Sequence, residues 1–261
     1  MLSRPRYAIA RAALRMAAPF TGLRLIDDHE PADVFIVGFP KSGHTWLQYL
    51  LASLAGGIDV TRAPDSLVQD VIPDVYARVA YRRYREPTFF KSHALPRKDY
   101  RRVIYLVRDG RDAMVSWFHH HQAVFGPMDF PTLVRTAPHL EARWHEHVEA
   151  WLKNPFQAEL LVVRYEVLRR TPVEELARIA AFAGIEAAAA RLEAAVSAAS
   201  FEKQKQREAK HGWEDPMWPK DKSFVRRGTV GSYRDEMPPE ALAAFIAEAG
   251  PTLRSLGYAI E

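Results

Sequence analysis

Residues Val34–Leu50 read VFIVGFPKSGHTWLQYL. An apolar, β-branched run from Val34 to Val37 stops at Gly38, and Pro40, Lys41, Ser42 and Gly43 form a short loop that opens into TWLQYLLASL. Leucines 47, 50, 51 and 54 fall on one helical stripe over Thr45–Ala55, and Gly56-Gly57 ends it. The order predicts a strand, a tight turn and a helix. Backbone N–H groups at a helix N-terminus carry partial positive charge, and Lys41 adds a full one, so this turn suits an anion.

The turn departs from the Walker pattern, which needs Gly-x4-Gly-Lys-Ser/Thr. Here Gly38-x4-Gly43 is followed by His44-Thr45, and the lysine sits inside the loop at Lys41. Outward from the turn, the same alternation repeats. Thr88–Lys91 reads as a short strand ending in Lys-Ser-His, and Arg102–Val107 as a strand that turns at Asp109–Asp112 into a helix over Ala113–His121. A helix over Ala137–Leu152 precedes the strand Leu160–Val163, which runs into Arg164-Tyr165-Glu166. Pro172–Ala183, Ala187–Ala199 and Pro239–Leu256 read as helices. Residues 58–88 read as loop with a short helix, 122–136 as loop and 201–233 as irregular. Strands alternating with helices predict an α/β fold of three layers, P-loop-like, with a central, mostly parallel sheet flanked by helices. Ligands of such sheets lie beyond the carboxyl ends of the strands, where Lys41, His93, Arg108 and Tyr165 fall.

A chain of 261 residues suits one large domain, 1–261, with residues 1–32 as a basic extension. The net charge of +4 is too modest to point to nucleic acid, although a pI near 9.3 leaves basic surface for acidic ligands. Without cysteine there is no disulfide, thiolate metal site or cysteine nucleophile. Arg11 and Arg15 interrupt the alanine-rich Tyr7–Phe20, and no stretch approaches ~20 apolar residues, so secretion and membrane spanning are not expected. Arg4, Arg6, Arg11, Arg15 and Arg24 would suit a helix resting on an anionic membrane surface, against the simpler reading of a terminal helix packed on its own domain.

Five segments then carry a resemblance. Gly38-Phe-Pro-Lys-Ser-Gly-His-Thr-Trp46 resembles the 5′-phosphosulfate loop of the cytosolic-type sulfotransferases that use 3′-phosphoadenosine 5′-phosphosulfate (PAPS). Arg108-x7-Ser116 resembles their 3′-phosphate motif, and Lys91-Ser-His93-x-x-Pro their catalytic-histidine segment. Arg164-Tyr-Glu-x5-Pro172 resembles the adenine-side tyrosine segment, and Phe224-Val-Arg-Arg-Gly228 with Thr-Val-Gly-Ser-Tyr-Arg the late Arg-Lys-Gly-x-x-Gly signature.

The resemblance implies sulfuryl transfer to a hydroxyl or amine of a small-molecule, lipid or glycoside acceptor, with adenosine 3′,5′-bisphosphate (PAP) as product and no metal. It implies His93 as general base, Lys41 on the leaving phosphate and Lys91 on the sulfonate. Ser42, Gly43, His44 and Thr45 would line the phosphosulfate loop. Arg108, Ser116, Arg226, Arg227 and Gly228 would hold the 3′-phosphate end, with Ser116 also restraining Lys41. Trp46 and Phe201 would pack beside adenine and Tyr165 at its polar edge. The chemistry is consistent, because a nucleotide anionic at two ends needs two donor clusters. An NTPase would instead want a carboxylate and a Ser/Thr on magnesium beside the loop lysine. A kinase or NTPase, and a non-catalytic nucleotide-binding or membrane-surface module, are the alternatives.

Several residues read more plainly. His119, His120 and His121 point in different directions on a helix and cannot converge on one ion. Arg82-Arg83 and Arg101-Arg102 read as solvated charges. Trp213 and Trp218 either line the acceptor pocket or anchor a loop. His44 stands where many relatives have threonine, an exchange that would let cofactor binding vary with pH. The animal dimer signature is missing after Gly231, and oligomeric state stays open. The expected compartment is the cytoplasm.

Overall fold

The computed structural model describes residues 4–215 and 217–260, the side chains of 4–11 and of Pro19 excepted. Helix α1 (Arg4–Thr21) leads through Gly22 into strand β1 (Leu23–Leu25). Strand β2 (Val34–Val37) and helix α2 (His44–Gly56) form the predicted first unit. Helix α3 (Asp65–Val71), β3 (Ala80–Arg82), β4 (Phe89–Ser92), β5 (Arg102–Val107) and α4 (Gly110–Val124) follow. Next come α5 (Phe130–Thr136), α6 (Trp144–Lys153), β6 (Glu159–Arg164), α7 (Tyr165–Arg170), α8 (Pro172–Ala183) and α9 (Ala189–Ala198). The last elements are α10 (Phe201–His211), α11 (Tyr233–Glu236) and α12 (Pro239–Ser255).

The central sheet is parallel throughout, in the order β4-β2-β5-β6. Alternate residues of β2 divide its two faces. Val34 and Ile36 pack with Leu47, Leu50, Leu51 and Leu54 of α2 and with Leu176 and Ile179 of α8. Phe35 and Val37 pack on the other face with Met114 of α4, Trp144 and Trp151 of α6 and Phe245 of α12. Helices thus cover both faces of the sheet, and burying each such side chain contributes about 1.5–3 kcal/mol. Register determines the rest: Val37 lies opposite Ser92 and Tyr105, and Val107 opposite Arg164. Gly38, His93, Arg108 and Tyr165 therefore leave the sheet along one edge.

The structure differs from the periodicity reading in four places. The helix expected over Ala137–Leu152 begins only at Trp144, and α5 occupies the preceding loop. Asp129 caps α5 by accepting from the Thr132 N–H at 2.9 Å, and Pro138, which has no N–H to donate, follows its left-handed end at Ala137. Helix α10 occupies a stretch expected to be irregular, because its buried side is polar: Arg207 pairs with Asp65 at 3.7 Å, and Glu208 accepts the Val225 N–H at 2.8 Å. The antiparallel pair β1-β3 has three residues per strand, too few for a period of two to register. Of the four arginines taken as solvated, Arg83 and Arg102 also have fixed partners. Arg83 grips the buried Asp33 with two bonds of 2.7 Å, and Arg102 reaches Glu159 at 2.8 Å and the Ala32 carbonyl at 3.3 Å. No helix among the described residues is long and apolar enough to cross a membrane.

Candidate active site

The phosphate-type turn depends on two left-handed backbone positions, Lys41 at φ 69° and Gly43 at φ 105°. At Gly43 a Cβ would lie 2.6 Å from the Tyr165 ring, so glycine serves both the turn and the close approach of α7. Helix α2 then starts at His44, leaving its first N–H groups facing the turn.

A cavity of about 680 Å³ adjoins this turn. Lys41, Gly43, His44, Thr45, Trp46, Lys91, His93, Arg108, Ser116, Tyr165, Phe201, Arg226, Arg227 and Gly228 all line it. Ser42 does not; its side chain is buried and its Oγ has no hydrogen-bond partner. Contacts join the nucleotide-type residues into one group. Arg108 donates to the carbonyls of Lys41 and Thr229, both at 3.1 Å, and its guanidinium lies 4.6 Å from the centre of the Tyr165 ring. The Trp46 and Tyr165 rings meet edge-on at 6.0 Å, while Trp46 Nε1–H donates to the Ala199 carbonyl at 3.0 Å. Gly228, at φ 61°, leaves room for the Phe201 ring, which a Cβ there would meet at 2.8 Å. Asp112 holds the late segment by accepting from the N–H groups of Gly231, at 2.7 Å, and Tyr233, at 3.0 Å. Arg226 and Arg227 both reach Glu236, at 2.5 and 3.3 Å.

His93 lies beside this cationic group. Its Nδ1 is 2.8 Å from the Gly38 carbonyl, which can only accept, so Nδ1 carries the hydrogen and the neutral ring keeps its lone pair on Nε2. Burial and the neighbouring Lys91 push its pKa down to about 4, so the ring is neutral at working pH. Lys91 pairs with the buried Asp74 at 2.9 Å. Burial opposes the Asp74 charge, yet Lys91 and His93 hold its carboxyl below the usual value. The Lys41 ammonium sits 4.4 Å from the centre of the Phe224 ring rather than on Ser116, and burial with Lys91 and Arg108 nearby pushes it down to about 7.

His44 behaves unlike the expectation of a pH-dependent contact. It is buried, packs edge-on to His93 at 4.4 Å, and neither ring nitrogen has a hydrogen-bond partner. Burial, then His93 and Lys91, hold its pKa well below the ordinary value, which favours the neutral ring. Trp213 lines the cavity and stacks on Phe224 at 3.9 Å, whereas Trp218 anchors its loop through Nε1–H to the Lys222 carbonyl at 2.7 Å. His119 pairs with Glu236 at 2.9 Å, His120 lines the cavity and His121 is buried, so the three rings diverge as expected.

Sequence reasoning missed several lining residues. Arg169 stands 5.4 Å from the Trp46 ring, one turn beyond Tyr165, and the i,i+4 spacing was the available signal. Asp74 and Tyr76 fall within residues 58–88, a stretch whose reading as a loop with a short helix suited the lining of an acceptor site, whereas Glu141 and His147 come from an irregular segment and a buried helix face, where no spacing points to a cavity. Among the described residues no group of three or more His, Asp or Glu side chains is arranged to hold a metal ion.

The cavity thus combines Lys41, Lys91, Arg108, Arg226 and Arg227 with an aromatic lining that includes Trp46, Tyr165 and Phe201 and with a histidine that has a free lone pair, which fits an anionic nucleotide. Sequence comparison agrees: the sulfotransferase domain family matches residues 31–254. The chain belongs to the PAPS-dependent sulfotransferase family, and it is an enzyme of that class. Sulfotransferase 1C2 of Homo sapiens is 25% identical over 239 residues, 79% of this chain and 78% of that protein. Sulfotransferase 1B1 of Mus musculus is 25% identical over 238 residues, 78% of this chain and 77% of that protein. In fold, the chain is similar to retinol dehydratase in complex with androsterone and inactive cofactor PAP, with TM-score 0.66 and 20% identity over 86% of this chain and 81% of that one. Mouse sulfotransferase SULT7A1 complexed with PAP gives TM-score 0.64 and 22% identity over 88% and 87% of the two chains.

Proposed function

We propose that the chain transfers a sulfuryl group from PAPS to the hydroxyl or amine of a small-molecule, lipid or glycoside acceptor, with His93 as base. The bond from His93 Nδ1–H to the Gly38 carbonyl carries this reading, because it leaves Nε2 free to take the acceptor proton beside two lysines. The nucleotide supplies the sulfuryl group when bound. Lys41 neutralises charge growing on the leaving phosphate, and Lys91 moves from Asp74 onto the sulfonate oxygens. Thr45 and the N–H groups of Gly43 and His44 cradle the 5′ end, and Ser42 serves only through the loop backbone. Arg108, Ser116, Arg226 and Arg227 take the 3′-phosphate, which must displace or share Glu236. Trp46, Phe201 and Tyr165 enclose adenine, and Gly228 keeps the ring of Phe201 close.

The acceptor enters between residues 58–88 and 137–142, where Tyr76, Leu140 and Glu141 line the cavity. Retinol dehydratase, similar to this chain in fold, has been crystallised with androsterone and with retinol, which supports placing sterols in the acceptor panel. The test is transfer of label from radiolabelled PAPS to a panel of phenols, sterols, glycosides and amines. PAP is expected to bind more tightly than adenosine 5′-phosphosulfate. Equal affinity for the two would remove the 3′-phosphate assignment, and ATP turnover with magnesium but no PAP binding would replace this reading with a kinase or NTPase.

Residues 1–261 act as one domain in this reading, in the cytoplasm, with 1–32 as an extension that touches membrane. Met16 and Phe20 on α1 are 72% and 89% exposed, beside Arg15. The side chains of Arg4, Arg6 and Arg11 lie outside the described residues. Deleting residues 1–30 would also remove β1 from its pairing with β3, so the cleaner variant is Met16→Ser with Phe20→Ser. It is expected to sediment less with anionic vesicles at unchanged transfer activity; undiminished sedimentation would reject membrane contact.

A further inference from the structure

Strand β4 is one of the two edge strands of the central sheet, and its ladder with β2 ends at Ser92. The next carbonyls, of His93 and Ala94, have no strand to accept from. Buried backbone carbonyls need donors, and α6 supplies two from positions four apart, which share a helix face. His147 Nε2 is 3.0 Å from the His93 carbonyl, and Trp151 Nε1–H donates to the Ala94 carbonyl at 2.9 Å.

The hydrogen positions at His147 follow from its partners. A carbonyl only accepts, so Nε2 carries the hydrogen, and Nδ1 of the neutral ring must accept. Its donor is the Tyr105 hydroxyl at 3.0 Å, from a β5 residue with no exposed surface whose ring stacks on His147 at 5.8 Å. Without that hydroxyl the other tautomer becomes available, and it would turn a lone pair onto the His93 carbonyl.

We infer that His147 is a positioning residue for sulfuryl transfer: its Nε2–H fixes the His93 backbone, and the Tyr105 hydroxyl fixes which nitrogen bears that hydrogen. The inference rests on the reading of His93 as base. A displacement of about 1 Å at a reacting group can cost ~10²-fold in rate, so small errors at this carbonyl matter.

The test compares His147→Leu, His147→Gln and Tyr105→Phe by kcat, KM, PAP affinity and thermal midpoint. His147→Leu is expected to lower kcat by about 10- to 100-fold with PAP affinity unchanged. His147→Gln, whose amide can reach the same carbonyl, regains most of the rate. Tyr105→Phe loses less, in the same direction, and in a His93→Ala background His147→Leu has no further effect. Nitrogen NMR of ring-labelled histidine should find His147 in the Nε2–H form. Equal loss in the leucine and glutamine variants, or PAP affinity falling in parallel with kcat, would mark a merely structural role and overturn the inference. If His147→Leu does not fold, Tyr105→Phe decides, and wild-type kcat there overturns it. Full turnover by His93→Ala would remove the base reading and this inference with it. An inactive His93→Ala beside a fully active His147→Leu would remove this inference alone.

Discussion

His93→Ala is expected to lower sulfuryl transfer by about 10³-fold or more while PAP binds as in the wild type, since general base catalysis contributes ~10²–10⁴-fold. The two readouts separate because the His93 bond goes to the Gly38 carbonyl, whereas the cations that face a nucleotide stand on other elements. The pH profile adds a second check. Burial and Lys91 hold the ring below its ordinary value, so the loss of rate on acidification should set in at lower pH than for an ordinary imidazole. Single-turnover rates and PAP titration would measure both. Substantial residual turnover in His93→Ala, or a loss confined to nucleotide affinity, would take His93 out of the base role.

Lys41→Ala should cost about 10²–10³-fold in kcat, the range for removing one donor that stabilises charge in a transition state. It should also abolish a proton-linked effect on binding. Lys41 is held down to about 7 by burial and by Lys91 and Arg108, and a phosphate bound beside it raises that value. A group whose pKa rises on binding takes up protons. PAP affinity is therefore full below about pH 7 and falls as pH rises through the bound-state pKa. Calorimetry near pH 8, in two buffers of different ionisation enthalpy, should report proton uptake in the wild type and none in Lys41→Ala. Equal heats in both buffers for the wild type would contradict the linkage.

The parallel sheet and its loaded edge were legible because they rest on local features: β-branched runs that end in glycine, and leucine stripes that follow. Arg102–Val107 was read to the residue, and the five ordered motifs led to residues that share one cavity, Ser42 excepted. What stayed hidden depends on burial that sequence does not display. Lys91, positively charged on paper, is already paired with Asp74, which comes from a proline-interrupted loop without periodicity. His44 looked titratable until burial against His93 removed its charge. Helix α10 looked like loop because its inward side carries Arg207 and Glu208 in place of leucines, and each is satisfied by a partner distant in the chain. His147 showed no signal at all, since a histidine on a buried helix face reads the same whether it packs or positions.

The strand order β4-β2-β5-β6 also bears on how such an enzyme changes its customers. Strands β2, β5 and β6 lead into the turn, Arg108 and Tyr165, while β4, the edge strand opposite β6, carries Lys91 and leads into His93, next to Asp74 and Tyr76. Drift in the loops flanking that outer strand could retune acceptor choice while the donor machinery stayed fixed. Libraries randomised at Tyr76, Leu140 and Glu141 would exploit this separation, keeping one currency of sulfate and exchanging what receives it.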